Sequence, residues 1–168
     1  GGHDRIAYIA GWEGASTQRD REAGFRAGLA AHGQDLFARG VGNFQSDMAA
    51  AAAVEIFSRR ERPDAVFVSN DHMAFAVMDA LRHRLRLRVP QDVSVVGFDD
   101  VQLAAWPSFD LTTMRQPSGR MVEATVTALM DKIEGRDSAP QQVQVVTRLI
   151  VRGSARRPDM YVAAQERE

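Results

Sequence analysis

The sequence predicts an α/β fold: a parallel sheet with flanking helices. Three observations predict it. Short apolar runs stopped by Gly or a polar exit recur at "RIAYIAG" (5–11), "PDAVFVSND" (63–71) and "VPQDVSVVGFDD" (89–100). Segments of helical length, with caps and apolar stripes, lie between them. Strands that alternate with helices at this spacing form βαβ units, and βαβ units form parallel sheets.

Taken in order, the run 5–11 reads as a buried parallel strand. Residues 16–33 follow as a helix, with Ser16 or Thr17 as N-cap, Gly33 just past its end, and Ala23, Phe25, Leu29 and Ala30 as a rough inward stripe. Residues 35–40 form a weak strand, and 46–61 carry an alanine run, the best helix former. The run 63–71 is a third strand, leading into a helix over 71–85 that Asp71 is placed to cap; 89–100 is the strongest strand. Beyond residue 100 the rhythm changes. Residues 101–110 are irregular, and 111–117 are extended, as the residue before Pro117 must be. Residues 118–135 show Val122, Val126, Leu129, Met130 and Ile133 on one helical face, ended by Gly135. Residues 141–153 read as a strand, and the last stretch, 156–168, as a polar, frayed tail.

Bulk properties narrow the function. A chain of 168 residues with 45% hydrophobic and 26% charged residues has enough to bury one core, which excludes a disordered or fibrous chain. The net charge of −1 supplies no basic field for nucleic acid. Without cysteine there is no disulfide framework, thiol nucleophile or thiolate metal site. No apolar run approaches the ~18–20 residues that span a bilayer, and no basic start with an apolar core marks a signal peptide. The expectation is a soluble, cytoplasmic protein with no membrane partner. The opening Gly1-Gly2-His3-Asp4 reads as the start of a cut fragment.

In an open parallel sheet, ligands sit outside the carboxyl ends of the strands. Three exits carry reactive groups: Ser16, Arg19 and Arg21 after the first strand, Ser69-Asn70-Asp71 after the third, Asp99-Asp100 after the fourth. An acidic Mg²⁺ pocket of the phosphoryl-transfer receiver kind would also need a lysine at a strand end, and Lys132, the only lysine, lies mid-helix. Adjacent carboxylates rarely supply the separation of roughly 5–10 Å that a glycosidase pair needs. No nucleophile elbow, P-loop or H-E-x-x-H occurs, and His3, His32, His72 and His83 lack metal-ligand spacing. The sequence therefore predicts no enzyme, cofactor or metal. A carboxylate, an arginine fork and an asparagine together suit a polyhydroxylated small molecule, and Phe44 is available to stack on its apolar face.

The residues resemble a known family. "GHDRIAYIAG", "REAGF" (21–25), "PDAVFVSNDHMA" (63–74), "RVPQDVSVVGFDD" (88–100) and "LTTMRQP" (111–117) are similar, in order and spacing, to the effector-binding core of lactose-repressor (LacI/GalR) type transcription regulators. The resemblance runs from residue 2 to about 157. It implies a type I periplasmic-binding-protein fold, with a ligand cleft between two α/β subdomains. Residues 1–110 would be the C-terminal subdomain, 111–142 the crossover and a helix of the N-terminal subdomain, and 143–155 a strand returning to the first. The resemblance further implies a small-molecule effector, a sugar or sugar derivative, bound by Arg21, Phe44, Asn70 and Asp99, with Asp100 a structural or partly solvated neighbour. It implies a homodimer, with Ala74, Phe75 and Met78 as candidates for a two-fold contact. Operator DNA would be bound only through a helix-turn-helix that this sequence lacks. The alternative is a fragment of a solute-binding protein for transport with the same fold. With half of its subdomain missing, the stripe on helix 118–135 is expected to dock on a second chain rather than fold back on its own sheet.

Overall fold

Five parallel strands and one antiparallel edge strand make a single sheet in a computed structural model that describes residues 1–136 and 145–157. In chain order the elements are β1 (Ile6–Ala10), α1 (Ser16–Ala31), β2 (Ala38–Val41), α2 (Ser46–Phe57), β3 (Ala65–Val68), α3 (Asp71–Asp79), β4 (Ser94–Asp99), β5 (Thr112–Arg115), α4 (Ser118–Ile133) and β6 (Arg148–Ile150). A wide π turn, Ala80–Arg84, extends α3, and a short 3₁₀ turn, Gln102–Ala105, precedes β5. The sheet order is β2-β1-β3-β4-β5-β6.

The chain steps from β1 outward to β2, then returns past β1 to β3. Right-handed crossovers therefore put α1 on one face and α2 and α3 on the other. The second face is the well-covered one: Ala7, Ile9, Val66, Val68 and Val95 pack with Ala53, Ile56, Met73, Val77 and Met78 in one buried cluster. The α1 face holds a smaller aromatic stack, Phe25 lying 5.5 Å from Tyr8 and 5.0 Å from Phe67 between ring centres. Val96, Phe98 and Met114, farther along that face, stay half-buried.

Several expectations need correction. The inward face of α1 is Gln18, Phe25 and Leu29, flanked by Arg21 and Glu22, while Ala23 and Ala30 face solvent. The helix packs a polar residue inward because Gln18 answers polar groups at the strand ends. α2 stops at Phe57, where its buried face ends and the polar run toward Pro63 begins. Asn70, not Asp71, caps α3: its Oδ1 accepts the Met73 N–H at 3.0 Å. Ala74, Phe75 and Met78, the candidates for a two-fold contact, are all buried in the chain's own core, and Phe75 packs on Phe109 at 4.2 Å. What α3 turns to solvent is His72 and Asp79.

No residue of α4 is buried; Val122, Val126, Leu129, Met130 and Ile133 are all exposed. The stripe thus does not fold back on this sheet. The chain leaves the sheet after β5 and re-enters it at β6, which is shorter than the strand expected over 141–153 and pairs antiparallel with β5. Residues 141–144 and 158–168 lie outside the described residues.

Ser154 fastens the returning segment. Its hydroxyl donates to the Val95 carbonyl at 2.6 Å and accepts the Thr112 N–H at 2.8 Å, and its carbonyl accepts the Val95 N–H. Ser154→Ala is expected to leave two buried backbone groups unpaired and cost about 1–3 kcal/mol. Urea unfolding should show a lower midpoint with an unchanged m-value.

Candidate functional site

Neighbouring crossovers depart to opposite faces at β1, so a crevice opens at the carboxyl ends of β1 and β3. Arg21 enters it from the second turn of α1. One Nη donates to the Ser69 carbonyl at 2.6 Å, the other lies 3.5 Å from Asp99 Oδ1, and the guanidinium sits 3.9 Å above the Phe98 ring. The arginine is thus held by the ends of β3 and β4 at once. Ser69 itself is buried, and its hydroxyl donates to Gln18 Oε1, which also accepts from Tyr8 Oη and the Gly11 N–H. Gln18 ties the exits of β1 and β3 together beneath the arginine.

Asp99 and Asp100 have opposite fates. Both carry positive φ, 126° and 57°, so the chain turns sharply and their side chains part. The Asp99 side chain keeps a quarter of its surface, beside Arg21 and with the Gln116 amide donating to it at 2.5 Å. Burial pushes its carboxyl above the ordinary range, and Arg21 and Gln116 only partly offset that. Asp100 keeps 4% of its side-chain surface, gripped by Arg115 at the end of β5 and by Arg152, 2.7 Å away, just beyond β6. Burial would raise its carboxyl, but the Arg152 and Arg115 hydrogen bonds hold it below the usual range. A third carboxylate, Asp71, is fully buried behind them. It accepts from Thr113 Oγ1 at 2.6 Å and from the Val101 N–H at 3.0 Å, and burial raises it. A Cβ on Gly97 would collide with it, so the strand stays open there.

The structure brings Arg21 and Asp99 into contact, with Asn70 next to Ser69 on the same edge. Asn70 spends its Oδ1 on the α3 cap. Phe44 stands two strands from Asp99's neighbour β3, at the exit of β2, 36% exposed and with its ring against Gly11. Gln18, Gln116, Arg115 and Arg152 were not anticipated. Gln18 lies three residues before Arg21, on the same helical face, which is the signal that could have revealed it. Beyond Asp99 and Gln116 a cavity of about 430 Å³ continues over Ser118, Met121 and Val122. Among the described residues no group of three His, Asp or Glu side chains is arranged to hold a metal ion.

Comparison with known proteins decides the family. Residues 1–155 match the periplasmic binding protein-like domain. The chain belongs to this family, as found in lactose-repressor-type regulators. It is 35% identical over 156 residues to the ribose operon repressor of Escherichia coli K12, covering 92% of this chain and 47% of that protein. It is 33% identical over 158 residues to the HTH-type transcriptional repressor PurR of Vibrio vulnificus, covering 93% and 47%. Among solved structures, a transcriptional regulator CelR–cellobiose complex superposes with a TM-score of 0.85 at 35% identity, over 92% of this chain and 47% of that one. The lac repressor bound to ONPG superposes with 0.84 at 27% identity, over 92% and 46%. The chain spans about half the length of these relatives, and it is part of an effector-binding domain. The curated relatives are repressors, and among the described residues no helix is long and apolar enough to cross a membrane.

The contrast between the two acids is measurable. Asp100→Asn should lower stability at pH 7 by about 1–3 kcal/mol, because Arg152 stays partly buried without its charge partner. Asp99→Asn should change it by less than about 1 kcal/mol, since removing a desolvated charge offsets the loss of a part-exposed pair. Paired urea titrations would check both, and equal losses would contradict the division of labour.

Proposed function

We propose that this chain carries one wall of the effector cleft of a cytoplasmic transcriptional regulator, and that the effector is a sugar or sugar derivative. The observation that carries the reading is the Asp99–Arg21 pair, 3.5 Å apart at the carboxyl edge of the sheet beside its switch point, and still partly open. An ionised carboxylate accepts from two vicinal hydroxyls, and a guanidinium braced by a carbonyl donates to a third. Asn70 adds a donor, and Phe44 a flat apolar surface. The ribose operon repressor and the CelR–cellobiose complex among the relatives support the same class. That those relatives are repressors favours a regulator over a transport protein.

In the intact protein the opposite wall would come from a second subdomain. We assign residues 111–142 to the crossover and to a helix of that subdomain, and 143–155 to the return. The exposed stripe of α4 supports this, because five such side chains need a partner, and the unmatched half of the relatives' length would supply it. A homodimer is expected, with operator DNA bound by a head outside this chain. A ligand that bridges both walls would favour one subdomain arrangement and so shift the population that binds operator.

Two outcomes are expected in the full-length protein. Asp99→Ala or Arg21→Ala should weaken effector affinity roughly 10- to 150-fold, the worth of a charge-assisted hydrogen bond, with the fold retained. Unchanged affinity in both variants, read by calorimetry, would sink the assignment. Affinity should also fall on acidification at a pH above the ordinary carboxylate value of about 3.9. The sign follows from Asp99's raised carboxyl: the accepting, ionised form is lost as pH drops through it. The same raised value means that protonation stabilises the fold relative to the unfolded chain, so the lost affinity is not unfolding at this group.

A further inference from the structure

Trp12 has no role in the site as described. It is the first side chain beyond Gly11 at the exit of β1, and it is 57% exposed. Leaving so large an apolar surface in water is unfavourable unless something covers it. Its loop is not slack. The Ala15 N–H closes a turn on the Trp12 carbonyl at 3.0 Å, Arg19 donates to the carbonyls of Glu13 and Gly14, and Gln18 takes the Gly11 N–H at 2.7 Å. The indole lies against Gly14, where a Cβ would come within 2.4 Å of its six-membered ring. Phe44 lies in the same way against Gly11. Neither glycine has a left-handed φ, so what each supplies is room for an aromatic face. Two exposed rings are therefore seated on glycines within one four-residue run, at the ligand end of the sheet. They do not stack on each other, so each keeps a face for something else.

We propose that Trp12 is a second stacking surface of the effector site, and that the ligand class is a glycoside of at least two rings. This rests on the sugar reading above. Asp99, Arg21 and Asn70 take the hydroxyls of one ring with Phe44 on its apolar face, and the second ring lies on Trp12 at the mouth of the cleft. An indole on a braced loop suits that role, because it is already in place and little ordering entropy is lost on binding. The polar cluster fixes which end of the ligand enters, and Trp12 sets its length.

The test is calorimetry on the full-length protein with glucose, galactose, cellobiose, maltose and lactose, using wild type, Trp12→Ala and Trp12→Phe. A disaccharide is expected to bind wild type about tenfold more tightly than either monosaccharide. Trp12→Ala should erase that ratio while leaving monosaccharide affinity and thermal stability unchanged, and Trp12→Phe should restore most of it. If a monosaccharide binds as tightly as any disaccharide, or if Trp12→Ala weakens both equally, the second-ring assignment is wrong and the sugar reading stands. If no sugar in the panel binds wild type, both are wrong.

Discussion

Everything at the functional edge depends on how β4 ends. Its last residue and the one after it are carboxylates at positive φ, a backbone conformation that costs on the order of 1–3 kcal/mol per non-glycine residue. What holds it there is the burial of Asp100 between Arg115 and Arg152. Those arginines come from the two segments by which the chain leaves the sheet and returns. One carboxylate thus pins the departing strand, the returning strand and the turn. Asp71 reinforces the pin from behind through Thr113 and the Val101 N–H. With the turn fixed, Asp99 is aimed at Arg21. The Asp99–Arg21 contact is preorganised by charges that lie outside it.

Much of this was legible in the sequence, and the illegible part has a common cause. The parallel sheet and the helices follow from periodicity, because burial on both faces writes apolar runs that a reader can see. The convergence of Arg21 and Asp99 follows from the rule that strand exits gather ligands. The use of Ala74, Phe75 and Met78 did not follow. An apolar helix face looks the same whether it meets its own sheet or a partner, and only the packing of Phe75 on Phe109 separates the two. The roles of Asn70 and Asp71 were likewise not separable in advance. Both are good capping residues, and the choice was made by Gly97 and Thr113, which build a cavity for the Asp71 carboxylate one strand away. Gln18 escaped notice because a glutamine in a helix usually faces water, whereas here three donors, from Tyr8, Gly11 and Ser69, converge on it.

The two faces of the sheet are unequal. The face under α2 and α3 is closed and apolar, so it gives the domain its stability without reference to a ligand. The α1 face is thin, held by one aromatic stack and by polar contacts of Gln18, Arg21 and Glu22. The arginine that meets Asp99 is therefore mounted on the more weakly packed of the two layers. A helix held mainly through directional polar contacts can move slightly without opening the core, since that core lies on the other side of the sheet. Under the proposed reading, a fixed Asp99 facing a helix with some freedom would let the cleft wall close on a ligand by tightening one ion pair and not by repacking its interior.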